Sequence, residues 1–241
     1  MRALAVVARV LSQLRRDPRT VALIVCVPML LETLLKEIFA DRPEVFQHTG
    51  APLLGLFPFV TMFLVTSITM LRERTTGTLE RLMASPLRKL DLLAGYGGAF
   101  AVVAVFQAGA VSALGFGALG LEVAGPKVLV AALAVGNAVL GTALGLFVSA
   151  FAETEFQAVQ FMPAIVFPQI LLCGLLVGRG QMADWLRWIS DALPLTYAYD
   201  ALAHTAADTL DGRFALDVGV VCGCILLALS LGAATLRRRT G

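Results

Sequence analysis

Residues 128–152, VLVAALAVGNAVLGTALGLFVSAFA, form an uncharged stretch long enough to cross a lipid bilayer as one helix. The hydrocarbon core of a bilayer is about 30 Å thick, so a helix needs roughly 20 apolar residues to span it. Backbone groups inside the bilayer must bond within their own segment, which makes a helix the expected structure. Four more stretches of this kind occur, at residues 49–71, 92–121, 156–178 and 218–236.

A sixth, shorter apolar stretch begins at residue 20 and continues through Glu32, Lys36 and Glu37 to about Phe39. Glu32 and Lys36 stand four residues apart, in the order that favours an ion pair on a helix, so we expect them to pair at the outer interface. The sequence therefore predicts an all-α integral membrane protein with six transmembrane helices. These spans cover about residues 20–39, 50–71, 93–120, 128–151, 156–177 and 215–236.

The composition supports a single membrane domain over residues 1–241. Hydrophobic residues make up 58% of the chain, its mean hydropathy is +0.82 and its net charge is only +2. A soluble domain is less apolar, and a nucleic-acid-binding protein would be more basic. Arg far exceeds Lys, and Ala, Gly, Leu and Val dominate, which is typical of a GC-rich bacterial genome.

The distribution of Lys and Arg predicts the orientation in the membrane. If the N-terminus lies in the cytoplasm, thirteen of these residues fall on the inner side and six on the outer side. Because positive charge is retained inside, we expect both termini in the cytoplasm of a multi-pass protein of the bacterial cell (inner) membrane.

The first residues predict an amphipathic surface helix over residues 2–16, not a cleaved signal peptide, because Arg9, Arg15 and Arg16 interrupt the apolar run. Such a helix would lie along the inner membrane surface with its arginines toward the headgroups. A frayed basic tail is the alternative. The polar face consists of Arg2, Arg9, Gln13 and Arg16, and the apolar face of Leu4, Val7, Leu11 and Leu14.

Small residues and prolines recur inside the spans. Small side chains four residues apart let helices approach closely, and proline bends a helix, although both are common in spans anyway. The small residues are Gly109, Ala113 and Gly117, then Gly141, Gly145 and Ser149, then Gly219 and Gly223; the prolines are Pro58, Pro163 and Pro168.

The sequence lacks the motifs that are typical of nucleotide-binding proteins, zinc proteases and serine hydrolases. None of the three lysines follows a glycine, so a phosphate-binding P-loop is excluded, and no HExxH or G-x-S-x-G motif occurs. The four cysteines suggest neither a metal site nor disulfides. No acidic residue or histidine sits deep in a span, apart from the predicted interfacial Glu32, so an ion-coupled transporter is not expected. Energy for uphill transport should come from outside the chain.

The predicted cytoplasmic loop, residues 72–91, has alternating charges, Gly77 and a short helical pattern that Pro86 ends. A charged amphipathic helix between two spans suits docking of a cytoplasmic partner, although an ordinary positive loop would also fit. Its residues Glu73-Arg74, Gly77-Thr78-Leu79-Glu80, Leu82 and Ser85-Pro86 resemble the loop after the second span in type 2 permeases of ABC transporters.

That resemblance implies a coupling helix, with an ATPase contact formed by Glu73, Arg74, Gly77, Thr78, Glu80 and Arg81. The chain itself would bind no cofactor and would not be an enzyme, because ATP and Mg²⁺ would be held by a separate ATPase subunit. A second permease, identical or similar, would complete the transporter.

The predicted outer segment, residues 179–213, contains Pro194-Leu195-Thr196-Tyr197, which is similar to a Pro-Leu-Thr-Tyr signature of the same family. The resemblance implies short re-entrant outer helices before the last span. With the surface helix and six spans, it covers essentially the whole chain.

By this resemblance the chain is the permease subunit of an ABC exporter working by alternating access. A hydrophobic drug or antibiotic is the first expected substrate, as in drug efflux and antibiotic resistance, and a lipid or lipid-linked sugar is the second. The resemblance places the substrate path along the second and fifth spans. The residues expected there are Phe59, Met62, Phe63, Thr66, Gln160, Phe161, Phe167 and Gln169.

An alternative of a different class is an intramembrane lipid-modifying enzyme. Asp200, His204 and Asp208 are spaced four apart and would share one helix face, but two carboxylates and one histidine are an incomplete metal or catalytic site, and a solvated face is the preferred interpretation. A third possibility, a passive channel, lacks a ring of charged filter residues. Dependence on a separate ATPase would distinguish the exporter from the enzyme.

Overall fold

The computed structural model of the chain describes residues 2–78 and 89–235, and the regular structure within these ranges is entirely helical. This confirms the all-α fold class. The α-helices, in chain order, are α1 (Arg2–Arg15), α2 (Pro18–Ile38), α3 (Pro43–Thr75), α4 (Lys89–Phe116), α5 (Lys127–Val148), α6 (Glu155–Phe161), α7 (Phe167–Leu172), α8 (Asp184–Asp191), α9 (Pro194–Ala206) and α10 (Gly212–Thr235).

Five helices in the described ranges are long and apolar enough to cross a membrane. They correspond to the second through sixth predicted spans, and the fifth runs from α6 through a π-helical turn into α7. Helix α2, which carries Arg19, Glu32, Lys36 and Glu37, is not among these five, so the first span stays a prediction.

Helix α3 lies at the centre of the bundle and packs along α5. The two backbones approach closely where α5 has glycine: a Cβ built at Gly141 would lie 2.2 Å from the carbonyl oxygen of Phe59, and one at Gly145 would lie 2.6 Å from that of Phe63. Only a residue without a side chain allows this contact. The predicted packing role of these two glycines is therefore confirmed.

Other small residues in the spans do not pack as their spacing suggested. Among the described residues, no neighbouring atom lies within 4 Å of a Cβ built at Gly109, Gly219 or Gly223. These three positions are open toward the exterior of the chain, so their spacing alone did not identify a helix contact within it.

Helix α1 was predicted to lie on the membrane surface, but one side of it also packs against the other helices. Val6 and Val10 are the buried side chains, and Val6 lies against Gly95 of α4. Leu4, on the apolar face that the sequence directs toward the membrane, is 69% exposed within the chain. The contact with α4 rotates the buried stripe toward Val6 and Val10, because Gly95 leaves room for a branched side chain there.

The prediction that Glu32 and Lys36 form an ion pair at the outer interface is wrong. Glu32 is completely buried, and both of its carboxylate oxygens lack a hydrogen-bond partner. Its side chain points from α2 toward α3, where a Cβ built at Gly50 would lie 3.4 Å from Oε1 of Glu32. Helix packing therefore decided the direction of this side chain, against the preference for pairing on the helix surface.

Candidate functional site

A groove of about 840 Å³ opens along the first half of the fifth span. It is lined by Phe151, Glu153, Gln157, Gln160, Phe161, Pro163 and Ala164. Aromatic rings, amide groups and one carboxylate therefore share a single open surface. Only 17% of the apolar stretch of this span is buried, compared with 61% for α3.

Capping and proline shape this groove. The hydroxyl of Thr154 accepts a hydrogen bond from the backbone of Gln157 at 3.2 Å, and the Gln157 side chain accepts one from the backbone of Glu153 at 2.8 Å. This reciprocal arrangement fixes the start of α6. Further along, Pro163 has no N–H, and the helix widens into a π-helical turn over Met162–Val166.

The π-helical turn places the main chain beside the groove, since Pro163 and Ala164 line it. Its characteristic bond joins the Phe167 N–H to the carbonyl of Met162, five residues earlier. Such turns are rare and often occur at functional sites. The Gln160 amide is exposed on the same surface, and an exposed amide is costly against lipid.

The structure does not bring the eight predicted path residues together. Phe59, Met62, Phe63 and Thr66 are all completely buried inside the chain. They face α5 and its neighbours because the glycines of α5 draw α3 into close contact. The four residues of the second span therefore line no open surface in this conformation, and their place on the path stays a prediction.

The four path residues of the fifth span divide between the surface and the interior. Gln160 and Phe161 line the groove, and Phe167 is 47% exposed. Gln169 is buried instead, and its side-chain oxygen accepts a hydrogen bond from the backbone of Leu195 at 3.4 Å. Gln169 thus connects the fifth span to α9, a structural role that the sequence did not indicate.

A polar clasp, formed by Arg9, Gln13 and Glu73, joins α1 to the last turns of α3. Arg9 Nη2 lies 3.4 Å from Glu73 Oε2, and Gln13 Nε2 lies 3.5 Å from Glu73 Oε1. Glu73 is 8% exposed, so its charge depends on these partners. The arginines of α1 were predicted to face lipid headgroups, but Arg9 has a protein partner instead, the acidic residue at the end of the second span.

Residues 72–78, the described first part of the predicted coupling loop, form the end of α3 and the turn after it. Arg72 forms a two-pronged ion pair with Glu155, at 2.7 and 2.9 Å, which links this end to the start of the fifth span. Arg74 is partly buried, with its Nε unpartnered. Gly77 follows α3 with a φ of +70, a left-handed conformation that ends the helix. The hydroxyls of Thr76 and Thr78 lie 3.0 Å apart on either side of it. The predicted coupling helix, including Glu80 and Arg81, lies outside the described residues.

The Pro-Leu-Thr-Tyr motif forms the first turn of α9. Pro194 opens the helix, where its missing N–H costs nothing. The Thr196 hydroxyl donates to the carbonyl of Ser190 at 2.8 Å, and the Ser190 hydroxyl donates to the carbonyl of Leu172 at 2.8 Å. Tyr197 donates its phenol to the carbonyl of Asp191 at 2.6 Å. The motif thus fastens α8 and α9 to the end of the fifth span as one cap.

Arg179 organises the charges of this cap. Its guanidinium bonds Asp200 of α9 at 2.8 Å and also pairs with Asp191 at the end of α8. Burial raises the pKa of the Asp200 carboxyl, although the adjacent Arg179 opposes this shift. Asp200 therefore belongs to a partly buried ion-pair network and is not part of a solvated face.

The predicted Asp200, His204 and Asp208 face does not form. Helix α9 ends at Ala206, and Asp208 lies beyond it, exposed and with a φ of 55. His204 approaches Asp217 of α10, with 4.0 Å between Nε2 and Oδ2. In the part of the chain that the structure describes, no group of three or more His, Cys, Asp or Glu could hold a metal ion.

Comparison with known proteins places the chain in a family. The sequence profile of the family described as ABC-2 type transporter matches residues 2–206. The chain is 24% identical over 173 residues to ABC transporter G family member 20 of Dictyostelium discoideum, which is 71% of this chain and 24% of that protein. It is 30% identical over 148 residues to the probable multidrug ABC transporter permease YbhR of Escherichia coli K12, which is 61% of this chain and 40% of YbhR. The matches therefore span two fifths or less of either relative.

Proposed function

Since this chain belongs to the ABC-2 type transporter family, we propose that it is the membrane permease of an ATP-driven exporter of hydrophobic drugs or lipid-like compounds. A bacterial cell membrane with both chain termini in the cytoplasm is the setting that the charge distribution supports. The observation that carries the proposal is the groove on the fifth span, in a chain whose relatives include a probable multidrug permease.

The chemistry of the groove suits an amphipathic substrate. Phe151 and Phe161 offer flat apolar contact, while Gln157 and Gln160 offer hydrogen bonds that orient a bound compound. Glu153 adds one negative charge at the end of the groove where the span begins. A compound with an apolar body and a few polar or cationic groups would be complementary to this surface.

A second permease would close the groove. The fifth span has little of its surface buried within the chain, and its exposed amides would be unfavourable against lipid. Packing of an identical or similar chain across this span would convert two open grooves into one enclosed cavity. A cavity closed by two permeases would explain why the fifth span is open in the single chain. In such a cavity the buried residues of α3 would not need to line the substrate path.

The energy would come from ATPase subunits bound at the end of α3. The clasp ties that end to α1, and the Arg72 ion pair ties it to the fifth span. A displacement at the loop that follows would therefore reach the groove through direct contacts. Alternating access requires that ATP favour one conformation of the permease over the other, because a ligand shifts an equilibrium only by binding the two states unequally.

The test is reconstitution of the permease with the ATPase encoded beside it. We expect the two proteins to purify as a complex in detergent, and we expect amphipathic drugs to stimulate ATP hydrolysis in proteoliposomes. Uptake of a stimulating drug into inside-out vesicles should require ATP. A permease that binds no ATPase, or a complex whose hydrolysis and transport respond to no drug or lipid, would contradict the proposal.

A further inference from the structure

A second cavity, of about 510 Å³, lies between the cap and the first turns of α10. Its walls include Arg179 and Asp191 of the cap network, and Arg213, Leu216 and Asp217 of α10. This cavity is separate from the groove, because the groove lies at the start of the fifth span and the cap lies at its end. None of its residues belongs to the predicted substrate path.

Asp217 is the unusual group in this cavity. The residue is 2% exposed, and its Oδ2 has no hydrogen-bond partner. His204 Nε2 lies 4.0 Å from this oxygen, so it can form a long ion pair when protonated but is too far for a hydrogen bond. A buried carboxylate without a partner is strongly disfavoured, so this position calls for a cation or another donor.

The two arginines of the cavity do not supply that partner. Arg179 already uses its two terminal nitrogens on Asp191 and Asp200. Arg213 is exposed, and its guanidinium makes no ion pair within 4.0 Å among the described residues. The cavity therefore combines a buried carboxylate whose Oδ2 has no hydrogen-bond partner with a guanidinium at its rim that makes no ion pair among the described residues.

The remaining walls suit an organic cation. Tyr197 is fixed by its hydrogen bond to the carbonyl of Asp191, and aromatic rings attract alkylammonium groups. Leu216 is 56% exposed and gives the opening an apolar lip. A ligand with an ammonium head and a hydrocarbon tail would match the carboxylate, the ring and the lip.

We propose that this cavity binds the alkylammonium group of an amphiphile, with Asp217 as the counter-ion and Tyr197 as the aromatic wall. In a zwitterionic phospholipid, the phosphate would additionally pair with Arg213. A single-chain cationic compound would use Asp217 and Tyr197 alone. This site does not depend on the proposed transport function, because binding can be measured without ATP or an ATPase.

The experiment uses the purified, delipidated full chain and native mass spectrometry. The probes are dioleoylphosphatidylethanolamine, dioleoylphosphatidylglycerol and dodecyltrimethylammonium. We expect the wild type to retain phosphatidylethanolamine in preference to phosphatidylglycerol, and dodecyltrimethylammonium to displace it. D217N should weaken both ammonium probes by about tenfold or more, because it removes the counter-charge that attracts both the primary and the quaternary ammonium group. The matched control is D208N, which removes an exposed acidic charge outside the cavity.

The variant R213Q distinguishes the two sources of the ammonium group. Weaker phosphatidylethanolamine binding with unchanged dodecyltrimethylammonium binding would assign a phospholipid headgroup. Asp217-dependent binding of dodecyltrimethylammonium, with no preference between the two phospholipids, would assign a cationic amphiphile. H204K is a second variant that should compete internally for Asp217 and lower binding of both ammonium probes. If D217N and H204K both bind the probes as D208N and the wild type do, the proposal is overturned.

Discussion

The side-chain amide of Gln107, in α4, donates a hydrogen bond of 2.7 Å to the main-chain carbonyl of Ile24, in α2. Pro28 follows Ile24 by four residues and has no N–H, so this carbonyl lacks its usual helical partner. Gln107 is completely buried and supplies the missing donor from a neighbouring helix. A proline in one helix and a glutamine in another therefore act as one structural unit.

Replacement of Gln107 by Leu should destabilise the protein by about 1–3 kcal/mol, because the buried Ile24 carbonyl would then lose its donor. Unfolding by SDS of the detergent-purified protein would measure the loss. In a Pro28→Ala background, the backbone of residue 28 can donate to Ile24, so the same Gln107→Leu change should cost clearly less. Equal costs in the two backgrounds would show that the missing donor is not the cause.

Hydropathy predicted where most helices lie. The fourth span was expected at residues 128–151, and the structure has an unbroken apolar helical segment over Lys127–Phe151. The family resemblance placed the Pro-Leu-Thr-Tyr motif in a short helix, and the motif forms the first turn of α9; its outer location stays a prediction. The span depends on a chain-local property, the length of an apolar run, and the helix start depends on the fixed φ of proline.

The direction of each side chain could not be predicted in the same way. A span that is apolar all round gives no amphipathic signal, so Phe63 and Phe167 were assigned to one path although the first is buried and the second exposed. The deciding contacts are between helices distant in sequence, such as Gly145 against the carbonyl of Phe63. The surroundings of Glu32 and the partners of Glu73 were missed for the same reason.

Gly141→Ala should destabilise the bundle, because the added Cβ would lie 2.2 Å from the carbonyl oxygen of Phe59. Forcing α3 and α5 apart should cost about 1–3 kcal/mol or more. Gly136→Ala is the matched control on the same helix, since nothing lies within 4 Å of its added methyl. We expect Gly136→Ala to unfold like the wild type or slightly later, and similar behaviour of the two variants would contradict the close helix contact.

Arg9→Gln should weaken the clasp, because Glu73 would keep a buried charge without its ion-pair partner. We expect a loss of stability of about 1–2 kcal/mol, discounted for the partial exposure of Arg9. In the reconstituted transporter, the ratio of drug transported to ATP hydrolysed should fall while ATPase binding persists. Arg15→Gln removes an exposed charge from the same helix and should change neither quantity. The clasp would have no part in coupling if the two variants behaved alike.

The predicted orientation can be tested with single cysteines in a background without the four native ones. Asp184→Cys, at a side chain that is 86% exposed on the cap, should react with a membrane-impermeant maleimide on intact cells. Arg15→Cys, at an exposed position of α1, should react only after the membrane is opened. The opposite labelling pattern would reverse the orientation and move the proposed ATPase contact to the wrong side.

Gln160→Ala and Phe63→Ala should have different effects, although both residues were assigned to one path from sequence. Gln160 lies in the open groove, so its loss should change which drugs stimulate ATP hydrolysis, with protein yield and unfolding unchanged. Phe63 is completely buried in the core of the bundle, so its truncation should cost about 3–5 kcal/mol and lower the yield of folded protein. Dose–response curves of ATPase activity for a panel of amphipathic drugs would measure the first effect, and SDS unfolding the second. A drug profile altered by Phe63→Ala in a fully stable protein, with no change for Gln160→Ala, would place the substrate path along α3 instead of the fifth span.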